Sequence, residues 1–259
     1  MTMFKSTQPT AHKKSIVIKL GGSMINNLSE VFFRQLEKMQ QQSHIVIVHG
    51  GGPAINEALA NSGQTFEKIN GIRVTPEQSI DLIASTLIGQ VNPYLVGQFQ
   101  SFGIQAIGLN GADGHLLKSD YLDQSQYGFV GKIRQVNTVV LHDLCEAKFL
   151  PVVACIGMTD DSQLLNINGD DVAAVIAKEL HADELLFVTD IEGIQIQHEK
   201  ITETDQGEIE YWIEQGDIYG GMIPKATAAT NCVKLGIPIV RIVGSSLTGT
   251  TIVREKVSI

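Results

Sequence analysis

Eight residues near the N-terminus, Ile16-Val-Ile-Lys-Leu-Gly-Gly-Ser23, constrain the fold more than any other stretch. Ile16, Val17 and Ile18 form a short apolar run of β-branched residues, the pattern of a buried strand. Lys19 interrupts it, and a lysine at the end of a buried strand is costly unless its ammonium reaches an anion or water. Gly21 and Gly22 then remove side chains where the backbone approaches something closely. A strand, a cation and bare amides together suit an anionic group, phosphate above all. Taken alone, the stretch also reads as a strand end with a snorkelling lysine and a glycine turn. A second glycine cluster tips the balance.

That cluster follows the apolar run Ile45 to Val48: His49-Gly50-Gly51-Gly52-Pro53. Pro53 fits the first turn of a helix, and Ile55, Ala58 and Leu59 continue its inner face up to Gly63. A strand ending in three glycines and feeding a helix N-terminus is a geometry in which backbone N–H groups and the helix dipole hold an anion. The seven histidines show no HExxH motif and no close clustering, so no metal cage is indicated, and His49 beside the glycines reads as structural rather than catalytic.

The remaining pattern alternates strands and helices. Helices are expected over 28–42, from the Thr75-Pro-Glu-Gln capping box through Leu87, over 91–102 and over 138–149. Strands are expected at 104–108 and 150–156, with a glycine-punctuated excursion over 110–136 between them and a loop at Asn70 to Val74. Asn166, Asn168 and Asp170 alternate, so an extended segment would project all three to one side before an alanine-rich helix over 172–180. Further on come a strand at 185–188, the loop Thr189-Asp190-Ile-Glu-Gly193, a short helix near 209–215, and a helix carrying Lys225 in its first turn. A cation there is set against the dipole, and an anion shared with the helix N-terminus accounts for it. Strands at 237–243 and 251–253 close the chain. This order predicts an α/β fold with a largely parallel sheet covered on both faces, ligands binding after the strands.

Composition excludes several classes. At 259 residues and 43% hydrophobic content the chain supports one large domain or two lobes sharing a sheet. A net charge of −9 argues against a nucleic-acid or anionic-membrane surface. Cys145, Cys155 and Cys232 are widely spaced, which fits a reducing cytoplasm better than a disulfide framework or a zinc site. No run reaches membrane-span length, and residues 1–14 read as a polar tail without the apolar segment of a signal peptide. The P-loop, the GxGxxG fingerprint, the protein-kinase HRD and DFG motifs and the GxSxG elbow are all missing.

In this order, Lys19-Leu-Gly-Gly, His49-Gly-Gly-Gly-Pro53, Gly71-Ile-Arg73-Val-Thr75, Asn166-Ile-Asn168-Gly-Asp170, Thr189-Asp190 with Gly193, and Gly221-Met-Ile-Pro-Lys225 resemble the amino acid kinase family from about Ser15 to the C-terminus. The loop with Arg73 and the Asn-x-Asn-x-Asp row point, within that resemblance, to N-acetyl-L-glutamate as substrate. Two departures stand out: Gly169 where the family usually has alanine, and a short segment from Val243 to Thr251.

The resemblance implies a three-layer αβα sandwich, with an N-lobe over about 15–180 that binds the acyl amino acid and dimerises and a C-lobe over about 181–259 that holds ATP with Mg2+. It implies phosphorylation of the γ-carboxylate of N-acetyl-L-glutamate in arginine biosynthesis. Lys19 and Lys225 would reach the transferring phosphoryl, with Asp170 orienting both. Gly51, Gly52, Arg73 and Asn166 would hold the substrate, Arg73 at its α-carboxylate. Gly21, Gly22, Asp190, Gly193, Ile218 and Tyr219 would hold the nucleotide, with magnesium arriving on the ATP phosphates rather than on protein ligands. Relatives inhibited by arginine carry a longer helical N-terminal extension, so the short tail holding Pro9 predicts an arginine-insensitive homodimer. Acetylaminoadipate, carbamate or glutamate kinase activity, a non-catalytic ligand sensor on the same fold, and a dinucleotide oxidoreductase are the alternatives.

Overall fold

The computed structural model describes residues 13–197 and 199–254, so the first twelve positions of the expected tail lie outside the described residues. Lys14, assigned above to that tail, already belongs to a strand. β1 (Lys14–Leu20) forms where the Ile-Val-Ile run requires, with Val17 and Ile18 fully buried. α1 (Glu30–Gln42) is capped by the Ser29 side chain, which accepts from the Phe32 N–H, and sends Phe32, Phe33 and Leu36 inward. β2 (Ser43–His49) runs through the glycine cluster into α2 (Gly52–Asn61), with Pro53 in its first turn.

The segment expected as a loop at Asn70 to Val74 is in part a hairpin. β3 (Lys68–Ile69) and β4 (Ile72–Arg73) are joined by Asn70-Gly71, with φ of 52° and 81°, the geometry a two-residue hairpin turn demands. The capping box does not form either. The helix begins one residue later than the box requires, with Pro76 as its N-cap, and the Thr75 hydroxyl instead donates to the Arg73 carbonyl at 3.2 Å and accepts from Asn166 Nδ2 at 3.0 Å. α3 (Glu77–Thr86), a π turn over Leu87–Val91 and α4 (Asn92–Ser101) run on as one helix where two were expected. The Asn92 N–H reaches back five residues to the Leu87 carbonyl, and this extra residue shifts the apolar period just before Pro93.

β5 (Ala106–Leu109) precedes the excursion, built from β6 (Leu117–Tyr121), α5 (Gln124–Tyr127) and β7 (Gly131–Val136). After α6 (Thr138–Glu146), the single strand expected at 150–156 splits at Cys155. β8 (Leu150–Ala154) stays in the main sheet, whereas β9 (Ile156–Met158) pairs antiparallel with β10 (Leu164–Asn166). α7 (Gly169–Glu179) and β11 (Glu184–Val188) follow. The C-terminal part holds β12 (Gln195–Ile196), β13 (Glu199–Lys200), β14 (Glu203–Asp205), α8 (Gln206–Glu214), α9 (Met222–Lys234), β15 (Ile239–Val243) and β16 (Gly249–Val253).

The main sheet has the order β14-β16-β15-β11-β1-β2-β8-β5, parallel throughout except where β16 runs against β15. Residues of α1 to α4 pack on one face, around Phe33, Leu36, Leu95 and Phe99, and residues of α6 to α9 on the other, around Leu141, Ile176 and Ala229. This is the expected αβα sandwich. β1 is the switch point: the chain leaves it on one side toward β2 and returns to its other side as β11, opening a crevice at the strand C-termini. Among the described residues no helix is long and apolar enough to cross a membrane.

Candidate active site

Lys19 sits at that crevice. Alternation along β1 puts it on the same face as Val17, toward α7. Its Nζ lies 2.8 Å from Asp170 Oδ1. Asp170 occupies the first turn of α7, where the helix dipole favours a carboxylate. The extended row expected for Asn166, Asn168 and Asp170 is interrupted: the strand ends at Asn166, and the Asn168 side chain caps α7, accepting from the Asp170 N–H at 2.8 Å. Asn168 therefore has a local structural role that the alternation pattern concealed.

Lys225, from the first turn of α9, lines the same small cavity as Lys19, with Gly21, Ser23, Asp170, Thr189 and Asp190. Its Nζ is 2.7 Å from Asp190 Oδ1. Asp170 pairs with Lys19 and Asp190 with Lys225, so the expected orientation of both lysines by Asp170 is not the arrangement here. The hydrogen bond from Lys225 holds the Asp190 carboxyl below the usual carboxylate range. Two cations from distant parts of the chain thus converge on one cavity, each balanced by its own carboxylate.

A second cavity of about 140 Å3 adjoins it, lined by Gly50 to Gly52, Arg73, Asn166 and Gly169 among others. They come close at Gly169, which lines the second cavity and whose Cβ, if it had one, would lie 3.4 Å from Cε of Lys19, a lining residue of the first. Arg73 is buried, with its guanidinium 4.3 Å from the centre of the Phe66 ring. One nitrogen, Nη2, donates to Asn56 Oδ1, while Nη1 is buried with no hydrogen-bond partner. A buried guanidinium N–H left unpaired is expensive, and a carboxylate in this cavity would satisfy it. A larger cavity of about 540 Å3 lies elsewhere, between Lys13, Ser43 and Lys148 at the N-terminal ends of β1 and β2. Convergent cations and glycine backbone, rather than size, mark the site.

The amino acid kinase family model matches residues 14–243. The chain belongs to the amino acid kinase family. A curated acetylglutamate kinase from Bacillus cereus is 40% identical over 240 residues, covering 93% of this chain and 93% of that protein. The crystal structure of smu.665 from Streptococcus mutans superposes with a TM-score of 0.85 at 33% identity, covering 93% of this chain and 99% of the other. Carbamate kinase from Giardia lamblia bound to AMP-PNP shares the fold, with a TM-score of 0.66 at 17% identity over 94% of this chain and 99% of that one.

As an amino acid kinase the chain is a phosphotransferase that uses ATP. Of the positions assigned to nucleotide from the sequence, Gly21 and Asp190 line the lysine cavity, whereas Gly22, Gly193, Ile218 and Tyr219 are not among its lining residues. A Cβ on Gly22 would lie 2.8 Å from Pro53 Cδ and 2.9 Å from Gly52 N, so Gly22 packs the two glycine clusters together. Gly193 has φ of 102° and a Cβ there would meet Thr250 Oγ1 at 2.7 Å, which gives it a structural reason to be glycine. Ile218 is buried in the core, while Tyr219 is 75% exposed. Sequence reasoning missed Ser23 and Thr189 in the lysine cavity and Lys68 and Cys155 in the other. Lys68 was findable: Asn-Gly between two β-prone pairs signals a hairpin, and that register sets Lys68 opposite Arg73. Cys155 gave no such signal, and burial pushes its thiol up to about 12, so it packs and does not react.

Proposed function

We propose that this protein transfers the γ-phosphoryl of ATP to the γ-carboxylate of N-acetyl-L-glutamate, giving N-acetyl-L-glutamyl 5-phosphate and ADP, a step of arginine biosynthesis. The observation that carries this reading is the buried Arg73 with its unpartnered Nη1, in a cavity that abuts the one holding Lys19 and Lys225. An acceptor with two carboxylates fits: one end on Arg73, the other beside the lysines. The match to an acetylglutamate kinase over nearly the whole chain supports the same acceptor.

The chemistry asks little of the protein beyond geometry and charge. A carboxylate with a reference pKa of about 4.3 is already ionised at neutral pH, so no general base is needed. Lys19 and Lys225 cancel charge on the migrating phosphoryl, and the glycine amides hold phosphate and acceptor in line. Asp170 fixes the Lys19 ammonium; Asp190 holds Lys225 until the nucleotide takes its place. Arg73 clamps the α-carboxylate and Asn166 hydrogen-bonds the substrate. Gly193, Ile218 and Tyr219 serve the nucleotide from the region between β11 and α9, Ile218 through its backbone. Among the described residues no group of three or more His, Cys, Asp or Glu is placed to hold a metal, and Asp170 and Asp190 are each engaged by a lysine. Mg2+ on this reading is carried by the ATP phosphates and neutralises their charge. The N-lobe pairs with a second copy, making a cytoplasmic homodimer.

A coupled ADP-release assay with N-acetyl-L-glutamate, N-acetyl-L-aminoadipate, carbamate and L-glutamate tests the reaction. Turnover is expected with the first. Turnover restricted to unacetylated glutamate, or calorimetric binding of N-acetyl-L-glutamate without turnover, would overturn it. Light scattering reporting a hexamer would overturn the dimer.

A further inference from the structure

His49 ends β2 inside the crevice and is fully buried. Alternation along β2 puts it on the face of Ile45 and Ile47, away from Lys19 and Asp170. Its sheet neighbours are Leu20 on β1 and Ala154 on β8. From the helical layer it meets Asn92, the residue just after the π turn. Asn92 Nδ2 is 2.9 Å from His49 Nε2 and 2.8 Å from the Val152 carbonyl, while His49 Nδ1 is 2.8 Å from the Gly50 carbonyl.

These contacts fix the protons. The Val152 carbonyl can only accept, so the atom facing it is the Asn92 amide nitrogen. That nitrogen can only donate, so His49 Nε2 accepts and is bare. The ring proton is therefore on Nδ1, where it donates to Gly50 O. Burial lowers the imidazole to about 4, so it is neutral at physiological pH; no charged side chain faces it from β1, β8 or α4. A trans peptide points its C=O and the next N–H in opposite directions. Pinning Gly50 O behind the loop turns the Gly51 N–H the other way, to the side on which Gly50 to Gly52 line the cavity. The π turn holds the same peptide from above: a Cβ on Gly51 would lie 2.6 Å from Leu87 Cδ2 and 3.3 Å from Val91 Cγ2.

We propose that His49 and Asn92 are positioning residues that lock the Gly50–Gly51 peptide plane so that the Gly51 N–H faces the acceptor carboxylate during phosphoryl transfer. The inference rests on the kinase reading above for its consequence but not for its geometry. It explains why a buried polar pair interrupts an otherwise apolar face: an apolar residue at 49 would leave Gly50 O free to rotate into the site.

The test has three arms. Imidazole 15N NMR of the wild-type protein is expected to show His49 neutral with the proton on Nδ1 from pH 8 down to pH 5; an Nε2–H tautomer overturns the inference whatever the variants do. His49→Phe, which keeps ring bulk and loses the donor, is expected to lower kcat at least tenfold with the KM for ATP within twofold; retained kcat overturns it. Asn92→Asp gives the readout a merely structural role would not move. Its carboxylate stabilises an imidazolium that still donates from Nδ1, and on deprotonation it draws the remaining proton to Nε2. The ratio of variant to wild-type kcat is then expected to fall severalfold as pH rises from 6 to 9, and a flat ratio overturns the inference. Failure of the wild type to phosphorylate N-acetyl-L-glutamate would instead sink the functional reading and leave the tautomer result standing.

Discussion

Lys225 Nζ and Asp190 Oδ1 are 2.7 Å apart, a pairing between the start of α9 and the loop after β11 that sits beside the Lys19–Asp170 pair. On the proposed mechanism a phosphate oxygen of the nucleotide would take the place of Asp190 against Lys225. The pair is partly exposed, so its net stabilisation is small. Replacing Lys225 should therefore hurt the reaction far more than the fold. Lys225→Ala is expected to cost roughly 3 kcal/mol in the barrier, about a hundredfold in kcat, by analogy with lost oxyanion donors. The KM for N-acetyl-L-glutamate should change little. Steady-state kinetics with a thermal melt as control separates the two effects; a variant with near-wild-type kcat removes Lys225 from the mechanism.

Arg73 offers a planar fork, and lysine cannot reproduce it. Arg73→Lys is expected to raise the KM for N-acetyl-L-glutamate roughly tenfold or more, the order expected when a charge-assisted hydrogen bond worth about 2 kcal/mol is lost. The KM for ATP should stay within a factor of about two, since Arg73 lines the cavity away from the two lysines. If the ATP constant moves instead, the acceptor and donor cavities have been exchanged.

His49 carries a pH signature. Its folded value near 4 lies below the unfolded reference of 6.5, so above pH 6.5 both states are neutral and stability is fully present. As pH falls from 6.5 toward 4 the unfolded chain takes up a proton that the folded chain refuses, and stability is lost. Taken to its limit the loss is roughly 3 kcal/mol. Urea midpoints measured between pH 7 and 4.5 should show this decline in the wild type, and it should be shallower in His49→Phe. Parallel curves for the two proteins would show that the imidazole is not protected.

Gly169 opens α7 with no backbone requirement for glycine, and a Cβ there would make ordinary contacts at 3.4 Å with Cys155 Sγ and Lys19 Cε. Gly169→Ala is expected to stabilise the protein by roughly 0.5–1 kcal/mol through the unfolded chain's entropy. Denaturant unfolding measures it. A loss of stability would mean that the added methyl displaces the Lys19 stem.

Local patterns in the sequence carried the sandwich and the position of its crevice. Apolar runs such as Ile16 to Ile18 and Ile45 to Val48 report buried strands directly, and glycines after them report where backbone meets ligand. What was not legible depended on contacts distant along the chain or on local bonds that compete with the simple pattern. Thr75 looks like a helix cap until Asn166, ninety-one residues away, claims its hydroxyl. Asn168 looks like part of a ligand row until its own helix takes it as a cap. The π turn at Leu87–Val91 breaks the helical period, so one continuous helix reads as two. Lys19, Lys225, Asp170 and Asp190, all named from the family motifs, line one cavity, but which carboxylate holds which lysine is set by side-chain reach across the crevice, and no spacing encodes that.

The contact of Gly22 with Gly52 and Pro53 has a mechanical corollary. A carbon added at Gly22 would lie under 3 Å from both Pro53 Cδ and Gly52 N, so the two glycine turns are packed directly against each other. On the proposed mechanism, any shortening of the donor-to-acceptor gap would then fall to the opposite side of the cavity, the start of α9, where Lys225 is held by a partly exposed ion pair.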